Sequence, residues 1–207
     1  MNVFEDIYER NLWGFGSGHG SLPRATKGYR IYLQKFLDLN GIKSVVDYGC
    51  SDWQFSRYLD WSNINYIGIE TVKKLVITNS EKFGSSTIRF EESPNNLIKL
   101  PKADLLIVKD VLQHLSHDDI KKFIKYALPK YKFALITNNV IPKMRLNINI
   151  STGEFRPLDL RKNPFNLKTC AVYSFGRNRR TYSFKQRKYF DPWKEVVLLF
   201  ISKASDK

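Results

Sequence analysis

The sequence predicts an α/β protein built on a doubly wound, mostly parallel sheet. Three observations carry that expectation. Between residues 42 and 139, strand-like apolar runs alternate with helix-like amphipathic segments. One run, "ADLLIVKD" at 103–110, is almost continuously apolar, as a strand covered on both faces must be. Near the end, "KTCAVYSF" and "WKEVVLLFIS" read as two strands with no helical period between them, which predicts an antiparallel hairpin.

In chain order, Ile7–Trp13 and Tyr29–Leu39 carry apolar residues at helical spacing, with the glycine-rich "GFGSGHGSLP" between them. "KSVVDYG" reads as the first strand and "WQFSRYLDW" as a helix after it. "INYIGIE" is the second strand, and "TVKKLVITNSEKFG" a helix closed by its glycine. "STIRFEE" and "ADLLIVKD" are the third and fourth strands. "SHDDIKKFIKYALP" is an amphipathic helix, with Ser116 as N-cap and two aspartates in its first turn. "YKFALITNN" is the fifth strand. The rhythm breaks at 140–165, which Pro142, Pro157 and Pro164 make irregular.

The chain has 207 residues, within reach of one domain that buries a real core. One domain is expected: N-terminal helices and lid at 1–40, a cofactor-binding core at 42–139, and an acceptor-side insertion and hairpin at 140–207. Two cysteines without a CxxC pair predict neither a disulfide framework nor structural zinc, and no metal is expected. The longest apolar run, "VVLLFI", is too short to span a bilayer. A soluble, cytoplasmic protein is expected. Net charge is +14, unevenly placed. Residues 1–120 carry 14 Lys and Arg against 15 Asp and Glu, whereas residues 121–207 carry 20 against 5. Such a basic segment fits either an anionic partner or a solvated lysine-rich face.

Ligands of doubly wound sheets bind beyond the carboxyl ends of the strands. In "SVVDYGCSDWQ", Ser44–Gln54, the first-strand turn keeps Gly49 but has Ser51 and Gln54 where a dinucleotide fingerprint needs glycines. No G-K-[ST] follows. Pyrophosphate is therefore disfavoured, and one glycine beside Asp47 suits a cofactor without phosphates. Glu70, 23 residues after Asp47, has the spacing for ribose hydroxyls.

"VVDYGCSDW", "YIGIE", "RFEES" and "ADLLIVKDVLQHLS", in this order, resemble the motifs of class I S-adenosylmethionine-dependent methyltransferases over about residues 42–139. Ser51 departs from the family's usual glycine. The resemblance implies a Rossmann-like seven-stranded sheet with one antiparallel strand, S-adenosyl-L-methionine as cofactor and S-adenosyl-L-homocysteine as product. It implies cofactor contacts from Asp47, Gly49, Cys50, Ser51, Asp52, Trp53, Glu70, Glu92, Ser93, Lys109 and Asp110. The loop residues Trp13, Ser17 and Gly18 are expected to fold over the cofactor as a lid, their glycine-rich backbone facing the methionine carboxylate; a plain linker is the alternative.

Methyl transfer to oxygen needs a base within hydrogen-bond reach of the hydroxyl. After the fourth strand, "KDVLQHLS" supplies His114, the natural base by intrinsic pKa, and Asp110, either a second base or a group that orients the hydroxyl or a metal. A histidine that only packs the next helix would look the same. Gln113, Asn138, Arg156, Asp159 and Arg161 are expected on the acceptor side; the alternative for Arg156–Arg161 is a local surface ion pair. "WG…SG.GS" with "GEFRPLDL…PF" is similar to compact methyltransferases that decorate surface glycans of bacteria and chloroviruses, some joined to glycosyltransferases. That similarity implies a sugar hydroxyl as acceptor, on a glycan or nucleotide-linked sugar. Two rivals stand beside it. One is an RNA acceptor held by the basic "RNRRTYSFKQRKYF"; the other is a binding module that has lost its chemistry.

Overall fold

A computed structural model describes residues 2–141, 145–176, 181–183, 188–190 and 193–200. Helix α1 spans Val3–Glu9 and α2 Lys27–Leu39. Strand β1 is Ser44–Tyr48, β2 Asn65–Glu70, β3 Ile88–Glu92, β4 Ala103–Lys109 and β5 Tyr131–Asn139. Between them lie α3 (Lys73–Phe83) and α4 (His117–Tyr126). Then follow β6 (Cys170–Gly176), β7 (Thr181–Ser183), β8 (Lys188–Phe190) and β9 (Trp193–Phe200).

Seven strands form one sheet in the order β3-β2-β1-β4-β5-β9-β6, with β1 to β5 parallel and β9 antiparallel to both of its neighbours. This is the mixed α/β sheet expected, and β6 with β9 is the terminal hairpin. Alternation along the central strands feeds two separate cores. Val45, Leu105, Ile107 and Leu135 face one side with α2, while Val46, Leu106, Val108 and Ile136 face the other with α4. Sheets buried on both faces tolerate no polar alternation, which explains the unbroken "LLIV" of β4.

Helix α4 begins as its sequence dictates: the Ser116 hydroxyl accepts from the Asp119 amide, and Asp118 and Asp119 fill the first turn. Two helix expectations need correction. The first helix starts at an Asn2–Glu5 capping box and stops at Glu9, because Asn11 and Phe15 take positive φ. The segment "WQFSRYLDW" contains only a 3-10 turn, Ser56–Tyr58. Trp53, Phe55, Leu59 and Trp61 are all buried, and at 100° per residue they would point all round an α-helix. An irregular path with Trp53 at φ 55° buries all four. Helix α3 does stop at Gly84, although in extended backbone: a Cβ there would lie 2.4 Å from the Ser80 carbonyl oxygen.

Much of the basic segment called an anion or RNA contact (177–180, 184–187 and 191–192) lies outside the described residues, as does Pro142. The remainder of the basic segment forms β7 and β8, which pair with each other in a separate two-stranded sheet.

Candidate functional site

A cavity of about 540 Å³ opens beyond the carboxyl ends of β1, β2 and β4, a volume suited to a nucleoside-sized ligand. The β1 turn forms its floor. Gly49 adopts φ 78°, and a Cβ there would meet Val111 Cγ2 at 2.4 Å, so only glycine fits. The Gly49 and Cys50 amides donate to the Ile69 carbonyl (2.8 and 3.1 Å), which clamps the turn to β2.

Glu70 closes β2 and lines the cavity. Its Oε2 accepts from the Ser51 amide (2.9 Å), and its Oε1 from the Thr71 and Val72 amides (2.7 and 3.1 Å). Burial raises its pKa, opposed by those three N–H donors. An amide of the turn that would face an anionic phosphate is thus already taken by a carboxylate. An ionised carboxylate has about four lone-pair sites, so one remains for a ligand hydroxyl.

A charged cluster stands at the end of β4. Asp110 takes φ 61°, and its Oδ2 accepts from Lys109 Nζ (2.5 Å) and from Lys194 Nζ of β9. Burial alone would raise the Asp110 pKa, but the two ammonium groups hold it well below the ordinary carboxylate range. Its Oδ1 is buried and without a hydrogen-bond partner among the described residues. Lys109 also donates to the Gly20 carbonyl (3.0 Å) and sits 5.2 Å from the Phe55 ring centroid.

The glycine-rich loop covers this floor. Trp13, Ser17, Gly18, His19, Gly20 and Ser21 all line the cavity. Asp52 anchors the loop by accepting from the Ser17 hydroxyl and, at 3.4 Å, from the Ser17 amide. A Cβ at Gly20 would lie 2.8 Å from Lys194 Nζ. The loop therefore packs against the site rather than hanging as a free linker.

At the far end, His114 is set between the rings of Trp13 (5.0 Å) and Phe155 (5.7 Å). His114 Nδ1 lies 2.9 Å from the Glu154 carbonyl oxygen. A carbonyl only accepts, so Nδ1 carries the proton and Nε2 keeps its lone pair, with the Gln113 amide 3.4 Å away. Burial lowers the His114 pKa, which keeps the ring neutral around pH 7.

Of the expected site residues, Trp13, Ser17, Gly18, Gly49, Ser51, Glu70, Ser93, Lys109, Asp110, Gln113 and His114 line the cavity. The others do not, for identifiable reasons. Asp47 points with Val45 into the α2-side core, where its Oδ2 accepts from Tyr66 (2.7 Å) and Ser56 (3.2 Å), and burial pushes its pKa up to about 6. Cys50 and Trp53 belong to the same core. Asp52 acts on the loop, and Glu92 makes an exposed 3.6 Å pair with Lys73. Asn138 is buried with its Oδ1 unpartnered among the described residues. Asp159 and Arg161 pair at 2.8 Å, with Glu195 of β9 joining Arg161. Arg156 is fully buried. Missing from the sequence reading were Phe4, Tyr8, Asn139, Phe155 and Lys194, which also line the cavity. Only the aromatic spacing of Phe4 and Tyr8 on α1, one turn apart, offered a signal.

No protein-family model matches the sequence, and no curated protein matches it either. Among solved structures, TehB from Haemophilus influenzae superposes with a TM-score of 0.59 at 12% identity, over 84% of this chain and 62% of that one. The chain thus spans less than two thirds of TehB's length. Magnesium protoporphyrin IX methyltransferase (ChlM) from Synechocystis PCC 6803, solved with bound SAH, gives 0.57 at 16% identity, over 94% and 98%. The N-terminal domain of EvdMO1, solved in the presence of SAH and D-fucose, gives 0.55 at 11%, over 83% and 82%. At these identities the likeness is one of fold: the sheet is the Rossmann-like sheet of such proteins.

Proposed function

We propose that the protein is an S-adenosylmethionine-dependent methyltransferase acting on a hydroxyl, with a sugar of a glycan or nucleotide-linked sugar as acceptor. The observation that carries the cofactor reading is the Glu70 carboxylate seated on the Ser51 amide of the β1 turn. It repels phosphate and leaves an acceptor for a ribose hydroxyl. Support also comes from the SAH held by ChlM and present with EvdMO1. The residues fit the cofactor in chemistry as well. Asp110 Oδ1, an acceptor without a partner among the described residues, stands beside two ammonium groups, a set matched to an amino-acid zwitterion.

When bound, the cofactor supplies an electrophilic sulfonium methyl. Everything else falls to the chain. Trp13 and Phe155 flank His114 at the acceptor end, and such rings suit the C–H faces of a sugar. His114 Nε2 takes the proton of the acceptor hydroxyl. Asp110 is a poor base, since two lysines hold it ionised, and it serves to orient.

Calorimetric titration with SAH, followed by methyl-transfer assays on nucleotide sugars, glycans and RNAs read by mass, tests the proposal. Failure to bind SAH would end it. Binding without turnover on any acceptor would favour a module that has lost its chemistry. Binding of RNA that weakens steeply with salt, with transfer to RNA alone, would replace the sugar.

A further inference from the structure

Arg156 is fully buried, yet among the described residues no carboxylate pairs with it. Its guanidinium makes one hydrogen bond, from Nη1 to the Gln113 carbonyl (3.2 Å), and Nε and Nη2 have no partner among the described residues. An unpaired buried cation is costly to keep, so its surroundings invite explanation. The Arg156 amide donates to the same Gln113 carbonyl (3.2 Å), and the Gly153 amide donates to the His114 carbonyl (2.8 Å). Glu154 holds His114 Nδ1. The Gln113 side chain is fixed in turn, its Oε1 accepting from the Asn139 amide (2.8 Å) and its Nε2 facing His114 Nε2. Residues 153–156 therefore grip 113–114 through four contacts, and Arg156 is the buried charge of that frame.

We infer that Arg156 is a positioning residue: from behind the cavity wall it fixes Gln113 and His114, and its positive charge adds to the burial that disfavours the imidazolium, so that Nε2 keeps its lone pair beside the Gln113 amide at the cavity. The inference rests on the reading of His114 as base. The other charges around the ring act in both directions. Asp110 favours the imidazolium, and Lys194 opposes it. The Glu154 side chain accepts from the Ser151 amide and contributes only its carbonyl to the ring. His19 lines the same cavity on the loop side.

The test reads the ring directly, without cofactor or acceptor. Ring-nitrogen NMR of the whole chain, with His114 assigned through His114→Gln, should show an Nδ1-protonated tautomer with a titration midpoint below that of free histidine. Arg156→Met should raise that midpoint, and Arg156→Lys should return it toward wild type. Arg156→Gln, which keeps a donor for the Gln113 carbonyl, gives the same reading should the methionine variant not fold. In turnover, Arg156→Gln should lose roughly three- to tenfold in kcat at pH 6 and less than about twofold at pH 8.5, with KM little changed. An unmoved midpoint in a folded variant, or an Nε2-protonated ring in wild type, overturns the inference. The expected ring behaviour with no methyl transfer to any acceptor would count against the enzymatic reading alone. Transfer with an unmoved ring would count against Arg156 alone.

Discussion

Replacing Glu70 by alanine should destabilise the empty protein, before any ligand is involved. The substitution removes the acceptor of three backbone N–H groups, at Ser51, Thr71 and Val72. Val72 is buried, while Ser51 and Thr71 are half-buried. A buried orphaned donor costs about 1–3 kcal/mol, and donors that water reaches cost roughly 0.5–1 kcal/mol each. Removing a buried carboxylate whose pKa burial has raised works in the opposite direction. The three donors outweigh it, for a net loss of about 2–3 kcal/mol, or a melting temperature lower by about 4–12 °C in a chain of this length. Glu70→Gln keeps an oxygen for Thr71 and Val72 but turns an NH2 toward the Ser51 amide, so its loss should be smaller, about 1–2 kcal/mol. Ligand-free urea denaturation measures both. An alanine variant within about 0.5 kcal/mol of wild type would refute the argument, and Glu70 would then be a group kept for the ligand alone.

Gly49→Ala should cost roughly 2 kcal/mol in the same assay, from its positive φ and from overlap with Val111. Adding Val111→Ala should recover only the overlap, and a full recovery would deny the strain. Asp47, with its pKa pushed up from 3.8 to about 6, binds its proton more tightly folded than unfolded, so wild-type stability should fall as pH rises from about 4 to 6. Asp47→Asn should therefore gain on wild type by about 1–3 kcal/mol between pH 4 and pH 7; a difference equal at both pH values contradicts the assignment. His114→Gln should lower kcat by about a hundredfold while SAH affinity, read by calorimetry, stays within about twofold. Wild-type turnover would show that another group takes the proton.

The parallel core was legible because its strands are apolar enough to be covered on both faces, and because α4 announces its cap at Ser116. The path from Trp53 to Trp61 was not, since tertiary burial of four large side chains overrides any helical period. Glu70 could be placed from its position at a strand end. Asp47 misled, because a carboxylate is almost never fully buried unless it is paired, and its partner Tyr66 OH becomes visible only once β1 and β2 are paired. The "EFRPLDLR" segment reads locally as a surface loop with an ion pair. That Arg156 turns inward depends on Gln113, 43 residues earlier. Lys194 was hidden in the same way, as a strand residue whose partner Asp110 is 84 positions away.

Strand β9 sits between β5 and β6, and no pairing joins those two directly. Among the described residues, β9 is the strand that pairs the edge of β5 and the strand to which β6 bonds. The same strand brings Lys194 to the cavity and Glu195 to Arg161. Completing the sheet and completing the ligand berth thus depend on the same strand, through contacts distant in sequence. A chain without that strand would display a helix-flanked half-sheet, with Asp110 short of one of its two ammonium partners.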